Sequence, residues 1–196
     1  MTTSSPVQMT CAALSPGPSS VLPTGCRIRD YEPGDEAAWV AIHRLADFYN
    51  PASLDLFEQQ FGSARDELPR RQLYLLDAAG TPIGTATAWF GALAAGVIIG
   101  RMHWVAIVPA EQGHGLARPL LSAVCRRLLE LGHRQAYLTT STARLPAINL
   151  YFAYGFLPDL DPPGARAAWA SLSAPAATSD GPLRPGLVAW LRTHLQ

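Results

Sequence analysis

Two glycines in one short loop, Gly113 and Gly115, have the clearest chemical implication of any residues in the sequence. The apolar run at residues 105–108 predicts a buried strand before the loop, and residues 118–131 carry apolar side chains at helical spacing, with Pro119 in the first turn. Glycine adopts backbone angles that other residues avoid, so consecutive N–H groups can converge on one point beside the positive end of the helix dipole. The pattern predicts a turn that binds phosphate oxygens, although a tight connection that binds nothing would look the same.

Two common nucleotide-binding patterns do not fit this loop. The dinucleotide pattern G-x-G-x-x-G would have its third glycine at the position of Arg118, and no acidic residue ends a following strand to hold a ribose. The P-loop pattern requires Gly-Lys followed by Ser or Thr, and the sequence contains no lysine. Both interpretations are therefore excluded.

The remaining pattern is Q-x-x-G-x-A at Gln112, Gly115 and Ala117, followed by the segment AINLYFAYGF at residues 147–156. The first resembles the pyrophosphate-binding motif Q/R-x-x-G-x-G/A of the GNAT superfamily of acyl-CoA-dependent N-acyltransferases. The second resembles the A-x-x-L-Y-x-x-x-G-F helix of the same family. With a similar opening strand and turn, the resemblance covers roughly residues 26–158.

The resemblance implies an α+β, or mixed α/β, fold with a mostly antiparallel central sheet flanked by helices. Its fourth strand, at about residues 97–108, and its fifth, at about 136–140, would splay apart and hold the pantetheine arm of acetyl-CoA between them. Strand backbone would bind the pantetheine amides, and the glycine loop would bind the pyrophosphate. The residues expected to bind the cofactor are Val105, Ala106, Ile107, Gln112, Gly113, His114, Gly115, Leu116, Ala117, Arg118 and Asn149.

The resemblance also implies a catalytic role for Tyr151, at the position where the family has a general acid near the CoA sulfur. A phenol with a pKa of about 10 can donate a proton to a leaving thiolate, although a buried aromatic residue of the core would fit the same position. No carboxylate base is apparent, because Thr139 stands where some relatives have Glu. His103, which would share a strand face with Arg101, Val105 and Ile107, is the candidate base, with a structural histidine or a water chain as alternatives.

The charge distribution agrees with an anionic cofactor. The whole chain is neutral, with 15 basic and 15 acidic residues, so neither nucleic acid nor a membrane is expected as a partner. Between residues 101 and 151, however, arginines outnumber acids. The arginines there are Arg101, Arg118, Arg126, Arg127, Arg134 and Arg144, against Glu111 and Glu130.

The chain of 196 residues predicts one domain with irregular ends. We expect a disordered arm at residues 1–25, a GNAT-like domain at 26–158, and a partly helical C-terminal extension at 159–196. Three cysteines without paired spacing predict neither a disulfide framework nor a metal site, and they are typical of a cytoplasmic protein.

The sequence therefore predicts an N-acetyltransferase, as a monomer or homodimer, acting on a small-molecule or peptide amine. The alternative is a non-catalytic acyl-CoA-binding or sensing module with a degenerate active site. A third interpretation is a structural or interaction protein that uses only the fold.

Overall fold

A computed structural model of the chain describes residues 4–47, 49–92, 96–172 and 182–195. Within these ranges the strands form a single sheet, with helices on both faces. The strands are β1 (Pro6–Cys11), β2 (Arg27–Asp30), β3 (Gln72–Leu76), β4 (Pro82–Ala92), β5 (Ile98–Ile107), β6 (Ala136–Ser141) and β7 (Leu157–Pro158). The helices are α1 (Glu36–Ala46), α2 (Leu54–Phe61), α3 (Leu68–Arg71), α4 (Ala117–Glu130), α5 (Leu145–Ala153), α6 (Ala165–Ser171) and α7 (Pro185–His194). None of the helices in these ranges has the length and apolar character that a membrane span requires.

The sheet has the order β2-β3-β4-β5-β6-β1-β7, and all neighbouring strands are antiparallel except β5 and β6. These two parallel strands pair only where Gly100 faces Ala136 and Arg101 faces Tyr137, although both continue further. They therefore diverge beyond Arg101. The predicted mixed fold and its splayed strand pair are both confirmed.

A β-bulge interrupts β5 next to the splay. Thr85 of β4 faces Ala106 and Thr87 faces His103, so β5 has one extra residue between them. Trp104 in this bulge has a φ of 48°. The strict alternation of side chains that a regular strand would have is therefore lost at this point.

The bulge changes the face to which His103 belongs. The prediction that His103 shares a face with Val105 and Ile107 is wrong, because the extra residue shifts the alternation. The His103 ring packs against Phe61 of α2, whereas Val105 and Ile107 pack into the core on the opposite face of the sheet. His103 thus faces the side covered by α1 and α2.

Two cores lie on the two faces of the sheet. One face packs against α4, whose residues Leu120, Leu121 and Leu128 are fully buried. The other face packs against α1 and α2 through an aromatic cluster that includes Trp39 and Phe61. The functional elements are therefore fixed from both sides by buried apolar area.

Helices α1 and α2 begin in different ways. Ser53 caps α2, because its hydroxyl accepts a hydrogen bond from the Leu56 N–H at 3.0 Å. The side chain of Asp35 does not cap α1, since its carboxylate instead binds the Arg29 guanidinium at 2.6 and 2.7 Å. Helix α1 ends at Ala46, because Asp47 has extended backbone angles.

The prediction of a disordered arm at residues 1–25 is wrong for residues 6–11, which form β1 between β6 and β7. Val7, Met9 and Cys11 are buried at alternate positions of this strand. The alternation is short and has Ser, Thr and Pro around it, so composition alone suggested disorder. Both partners of β1 are distant in sequence, which is why no local pattern predicted the pairing. Residues 1–3 lie outside the described part of the chain.

The C-terminal extension contributes to the core. The helix expected around Trp169 is α6, and the one expected near the C-terminus is α7. Trp169, Leu187 and Leu191 are fully buried against the α4 side of the sheet. Residues 173–181 between the two helices lie outside the described part of the chain.

Candidate active site

The divergence of β5 and β6 opens a cleft of about 1090 Å³. Its walls come from α1, α2, β5, the loop that precedes α4, β6 and α5, together with Arg184 from the segment before α7. Elements from most of the chain therefore meet in one cavity, and all of the predicted site residues except His114 line it.

The glycine loop forms one end of the cleft, which we call the coenzyme end and define as residues 112–118. Gly113 and Gly115 have φ angles of 81° and 77°, in the left-handed region that favours glycine. The backbone N–H groups of residues 113–118 have no hydrogen-bond acceptor among the described residues. A Cβ atom on either glycine would meet nothing within 4 Å, so the turn is open on that side.

Some predicted cofactor residues hold this loop in place. The Gln112 Nε2 donates a hydrogen bond to the Ile107 carbonyl at 2.8 Å, which ties the loop to the end of β5. The Leu116 side chain is buried in the core below the loop. Tyr154 donates from its hydroxyl to the Arg118 carbonyl at 2.7 Å and so fixes the first turn of α4.

The side chain of His114 is not part of the cleft lining. It is mostly exposed, and its Nδ1 lies 3.5 Å from Glu111 Oε2. Arg118 and Ala117, by contrast, line the cleft.

Strand β5 provides the wall next to the loop. Val105, Ala106 and Ile107 line the cleft beyond the last pairing with β6, so backbone groups on this edge have no partner strand. The Ile107 carbonyl is already used by Gln112. The Val108 N–H donates to the Ile83 carbonyl, so two residues along the same register Ala106 forms a hydrogen-bonded pair with Thr85 of β4. The predicted contact of the Ala106 backbone with the cofactor is therefore corrected, and the backbone groups of Val105 and the Ile107 N–H remain the candidates for amide contacts.

Tyr151 on α5 lines the same cleft. Its hydroxyl has no hydrogen-bond partner among the described residues, and its ring lies edge-on to Phe156 with centroids 6.4 Å apart. Burial raises the pKa of Tyr151 to about 12, against the opposing effect of the Arg144 charge. The phenol therefore stays protonated at neutral pH and can act as a donor.

The prediction that the Asn149 amide holds the cofactor needs correction. Asn149 Nδ2 donates to the Pro182 carbonyl at 3.0 Å, and Oδ1 accepts from the Arg184 N–H at 2.8 Å. Both ends of the amide are therefore used to fasten the segment before α7. This contact also places Arg184 at the cleft wall.

The opposite end of the cleft, which we call the inner end, consists of Gln60, Arg101 and His103. Gln60 Oε1 lies 3.1 Å from both Trp104 Nε1 and His103 Nε2. Because an indole nitrogen can only donate, the Gln60 atom must be oxygen, and His103 must carry its proton on Nε2. The neutral His103 ring then has its lone pair on Nδ1.

His103 is uncharged at neutral pH. Burial and then the nearby Arg101 charge lower its pKa well below the usual value of 6.5. His103 can therefore accept a hydrogen bond but holds a proton only weakly. His103 lies in the cleft, as predicted, but its low pKa makes it a weak general base.

A second histidine, which the sequence placed on α1, also lines the cleft. His43 is buried between Trp39 and Trp104, at ring-centroid distances of 4.3 and 5.0 Å. Burial lowers its pKa to about 4, and its Nε2 has no hydrogen-bond partner among the described residues. Trp104 also lines the cleft, whereas Trp89 and Phe90 on the neighbouring strand do not.

An ion pair spans the cleft between α1 and α5. Arg144 Nη2 donates to Asp47 Oδ1 at 2.6 Å. Burial alone would raise the pKa of Asp47, but hydrogen bonds from Asn50 and the Tyr49 N–H, with the Arg144 charge, lower it overall. The carboxylate is thus ionised and fully engaged, which makes it a poor candidate for a free base.

Sequence reasoning missed Gln60 and Asp47. Gln60 follows Phe57 by three residues and precedes Phe61, so it is a polar side chain on the buried face of α2. That placement could have indicated a polar wall. No comparable pattern marks Asp47, whose partner Arg144 is distant in sequence.

A cysteine nucleophile and a metal site both have less support than the arrangement described above. Burial raises the pKa of Cys125 to about 12, so this thiol is not a nucleophile at neutral pH. In the described ranges, no three His, Cys, Asp or Glu side chains lie close enough together to hold a metal ion.

The residues of the cleft fit acetyl-CoA. Free N–H groups at a helix N-terminus suit the pyrophosphate, and an unpaired strand edge suits the pantetheine amides. A cavity of this volume is at the upper end of the usual range for ligand sites. The protonated Tyr151 hydroxyl in the same cleft provides a donor for the sulfur end.

The comparisons with known proteins agree with this geometry. The family model of the Acetyltransferase (GNAT) family matches residues 39–156. A mycothiol acetyltransferase of Thermobispora bispora is 33% identical over 154 residues, which is 72% of this chain and 50% of that protein. The chain thus spans about half the length of the curated relatives that it matches.

Solved structures share the fold. A GCN5-related N-acetyltransferase from Sphaerobacter thermophilus has a TM-score of 0.64 and 24% identity, covering 79% of this chain and 48% of that one. The ribosomal-protein-S18-alanine N-acetyltransferase from Escherichia coli has a TM-score of 0.53 and 23% identity, covering 66% and 76%. The chain belongs to the GNAT acetyltransferase family.

Proposed function

We propose that this protein is an acyl-CoA-dependent N-acetyltransferase that transfers the acetyl group of acetyl-CoA to a primary amine by direct attack. The single observation that carries the proposal is the cleft itself. It combines unpaired N–H groups at residues 113–118 with the protonated hydroxyl of Tyr151. The acceptor of the mycothiol acetyltransferases is not assigned to this chain, because the match covers half of those proteins.

The coenzyme end would bind the pyrophosphate through backbone rather than side chains. Acetyl-CoA supplies the activated acyl group as a thioester. The N–H groups of residues 113–118 would donate to its phosphate oxygens, and Arg118 adds positive charge at the same wall. Backbone groups of Val105 and the Ile107 N–H would orient the pantetheine arm along the edge of β5.

Tyr151 would protonate the leaving sulfur. A phenol with a pKa near 12 stays protonated throughout the neutral range, and its hydroxyl is not committed to another residue of the described chain. Proton donation of this kind typically accelerates a reaction by roughly 10²- to 10⁴-fold.

Proton removal from the amine would rely on weak acceptors rather than on a carboxylate. His103 Nδ1 accepts a hydrogen bond from the amine in its neutral form, and positioning beside the thioester provides most of the acceleration. We therefore expect kcat/KM to rise with pH up to the pKa of the acceptor amine. A plateau beginning near pH 6 to 7 would instead indicate a base with an ordinary histidine pKa.

The experiment measures CoA binding by calorimetry and then amine-dependent thiol release from acetyl-CoA with a panel of amines. Binding together with amine-dependent turnover supports the proposal. Tight binding without turnover would support the non-catalytic acyl-CoA-binding module. The two carboxylates of the described cleft favour this alternative, since Asp47 is paired with Arg144 and Glu111 lies beside His114 at the coenzyme end. No binding at millimolar CoA would contradict both functions.

A further inference from the structure

The inner end of the cleft contains a cation that the proposed transfer reaction does not use. Arg101 lines the cleft at the point where β5 and β6 separate. Its Nε atom is buried and has no hydrogen-bond partner, and no carboxylate of the described residues forms an ion pair with it. Its guanidinium carbon lies 5.5 Å from the centre of the Tyr137 ring, which holds the side chain without neutralising it.

The charged groups around Arg101 do not compensate it. Asp47 is paired with Arg144 at 2.6 Å, and Glu111 lies at the coenzyme end beside His114. Among the described residues no other Asp or Glu lines the cleft, and the remaining titratable side chains of the lining are His43, His103, Arg118, Arg184, Tyr49 and Tyr151. A partly buried cation without a counter-ion is unfavourable, so an anionic group at this position would be bound strongly.

The polar neighbour of Arg101 is also free to donate. Gln60 uses its Oε1 to accept from His103 and Trp104, and its Nε2 has no partner among the described residues. Arg101 has donors only, and the free end of Gln60 is a donor as well. The pair of Arg101 and Gln60 is therefore complementary to an acceptor-only group such as a carboxylate, while the acceptor Nδ1 of His103 is left for the amine, and a guanidinium matches a carboxylate in geometry.

We propose that Arg101, assisted by Gln60, recognises a carboxylate on the amine acceptor, so that the substrates are amino acids or related amino carboxylates. This inference rests on the proposed N-acetyltransferase function. The bond formed is the amide between the acceptor nitrogen and the acetyl carbon, and the bond broken is the thioester. The acceptor carboxylate takes no part in that exchange and serves only for binding and orientation.

The test compares each of a set of L-amino acids with its own carboxamide at saturating acetyl-CoA, with rates corrected for the fraction of neutral amine. We expect the wild-type protein to prefer the carboxylate by about 10- to 100-fold in kcat/KM, as for a charged hydrogen bond. Arg101→Gln should remove most of this preference through the KM of the acid, while Arg101→Lys should retain part of it. Arg126→Gln removes an exposed arginine of α4 outside the cleft lining and should leave the preference unchanged.

The ratio of kcat/KM between each amino acid and its carboxamide, measured on the wild-type protein, tests the inference even if a variant does not fold. Equal or better use of the carboxamides would overturn the inference, and so would a preference that Arg101→Gln leaves intact. A parallel series with succinyl-CoA and the carboxamides tests the other source of a carboxylate. An Arg101-dependent preference found only there would assign the anion to the acyl group and overturn the assignment to the acceptor. In each of these outcomes CoA still binds, whereas failure of the proposed function would abolish binding or turnover with every amine.

Discussion

The two ends of the cleft are built in different ways. The coenzyme end presents backbone N–H groups from one continuous loop, shaped by two glycines with positive φ. The inner end presents side chains from α2 and β5, which meet only in the folded protein. Roughly 15–20 Å of strand separates them, at about 3.3 Å per residue. Binding of the coenzyme would therefore depend on a local sequence pattern, whereas selection of the acceptor would depend on residues that are distant in sequence.

That difference explains what the sequence could predict. Glycine spacing and the position of Pro119 are local, so the coenzyme end and the start of α4 were predicted from the sequence. The face of the sheet on which His103 lies was not predicted, because a one-residue bulge at Trp104 leaves no pattern in the sequence. β1 was missed for a related reason, since its partners lie at the other end of the chain.

The same reasoning applies to single side chains. Tyr151 was predicted from a motif and lies in the cleft, although its role awaits a test. Asn149 was predicted from the same helix, but its amide is taken by a segment of chain beyond α6 that no motif describes. The position of Gln60 in the cleft could be predicted only with knowledge of which helix covers β5.

The largest expected effect is on kcat and leaves the affinity for CoA almost unchanged. Tyr151→Phe should lower kcat by roughly 10²- to 10⁴-fold, because the proton donor for the leaving sulfur is lost. The dissociation constant for CoA, measured by calorimetry, should change little, since the ring remains. Unchanged turnover would remove Tyr151 from the mechanism.

The buried His43 of α1 should lower the stability of the protein in acid. His43 has a pKa of about 4 when folded and about 6.5 when unfolded, so the unfolded state binds more protons as pH falls. Its contribution, up to about 3 kcal/mol of unfolding free energy, is fully present above pH 6.5 and is lost as the pH falls to about 4. Urea unfolding at a series of pH values measures this loss. His43→Phe should flatten the acid limb, and parallel curves for the two proteins would contradict the assignment.

The coenzyme end can be disturbed through its backbone. Gly115→Val should weaken CoA binding by roughly tenfold, because a non-glycine residue in the left-handed region costs about 1–2 kcal/mol and the loop must return to that shape to bind. Gly132→Val is the matched control. It has a φ of 87° and equally open surroundings, but it lies at the other end of α4. Equal losses of affinity in both variants would show that the loop has no special role.

The smallest effect concerns the support of the loop. Tyr154→Phe removes a hydrogen bond to the Arg118 carbonyl and should cost about 1 kcal/mol of stability, with a few-fold loss of CoA affinity. Turnover at saturating acetyl-CoA should be nearly unchanged, in contrast to Tyr151→Phe. A large fall in kcat would mean that Tyr154 acts in the chemical step and does not only support the loop.

The most direct measurement is the change in backbone amide resonances when CoA is added to ¹⁵N-labelled protein. We expect the largest shifts at residues 113–118 and at the exposed edge of β5, with smaller changes at Gln60 and Arg101. Saturating CoA that leaves the amides of residues 113–118 unshifted would contradict the claim that this turn binds the coenzyme.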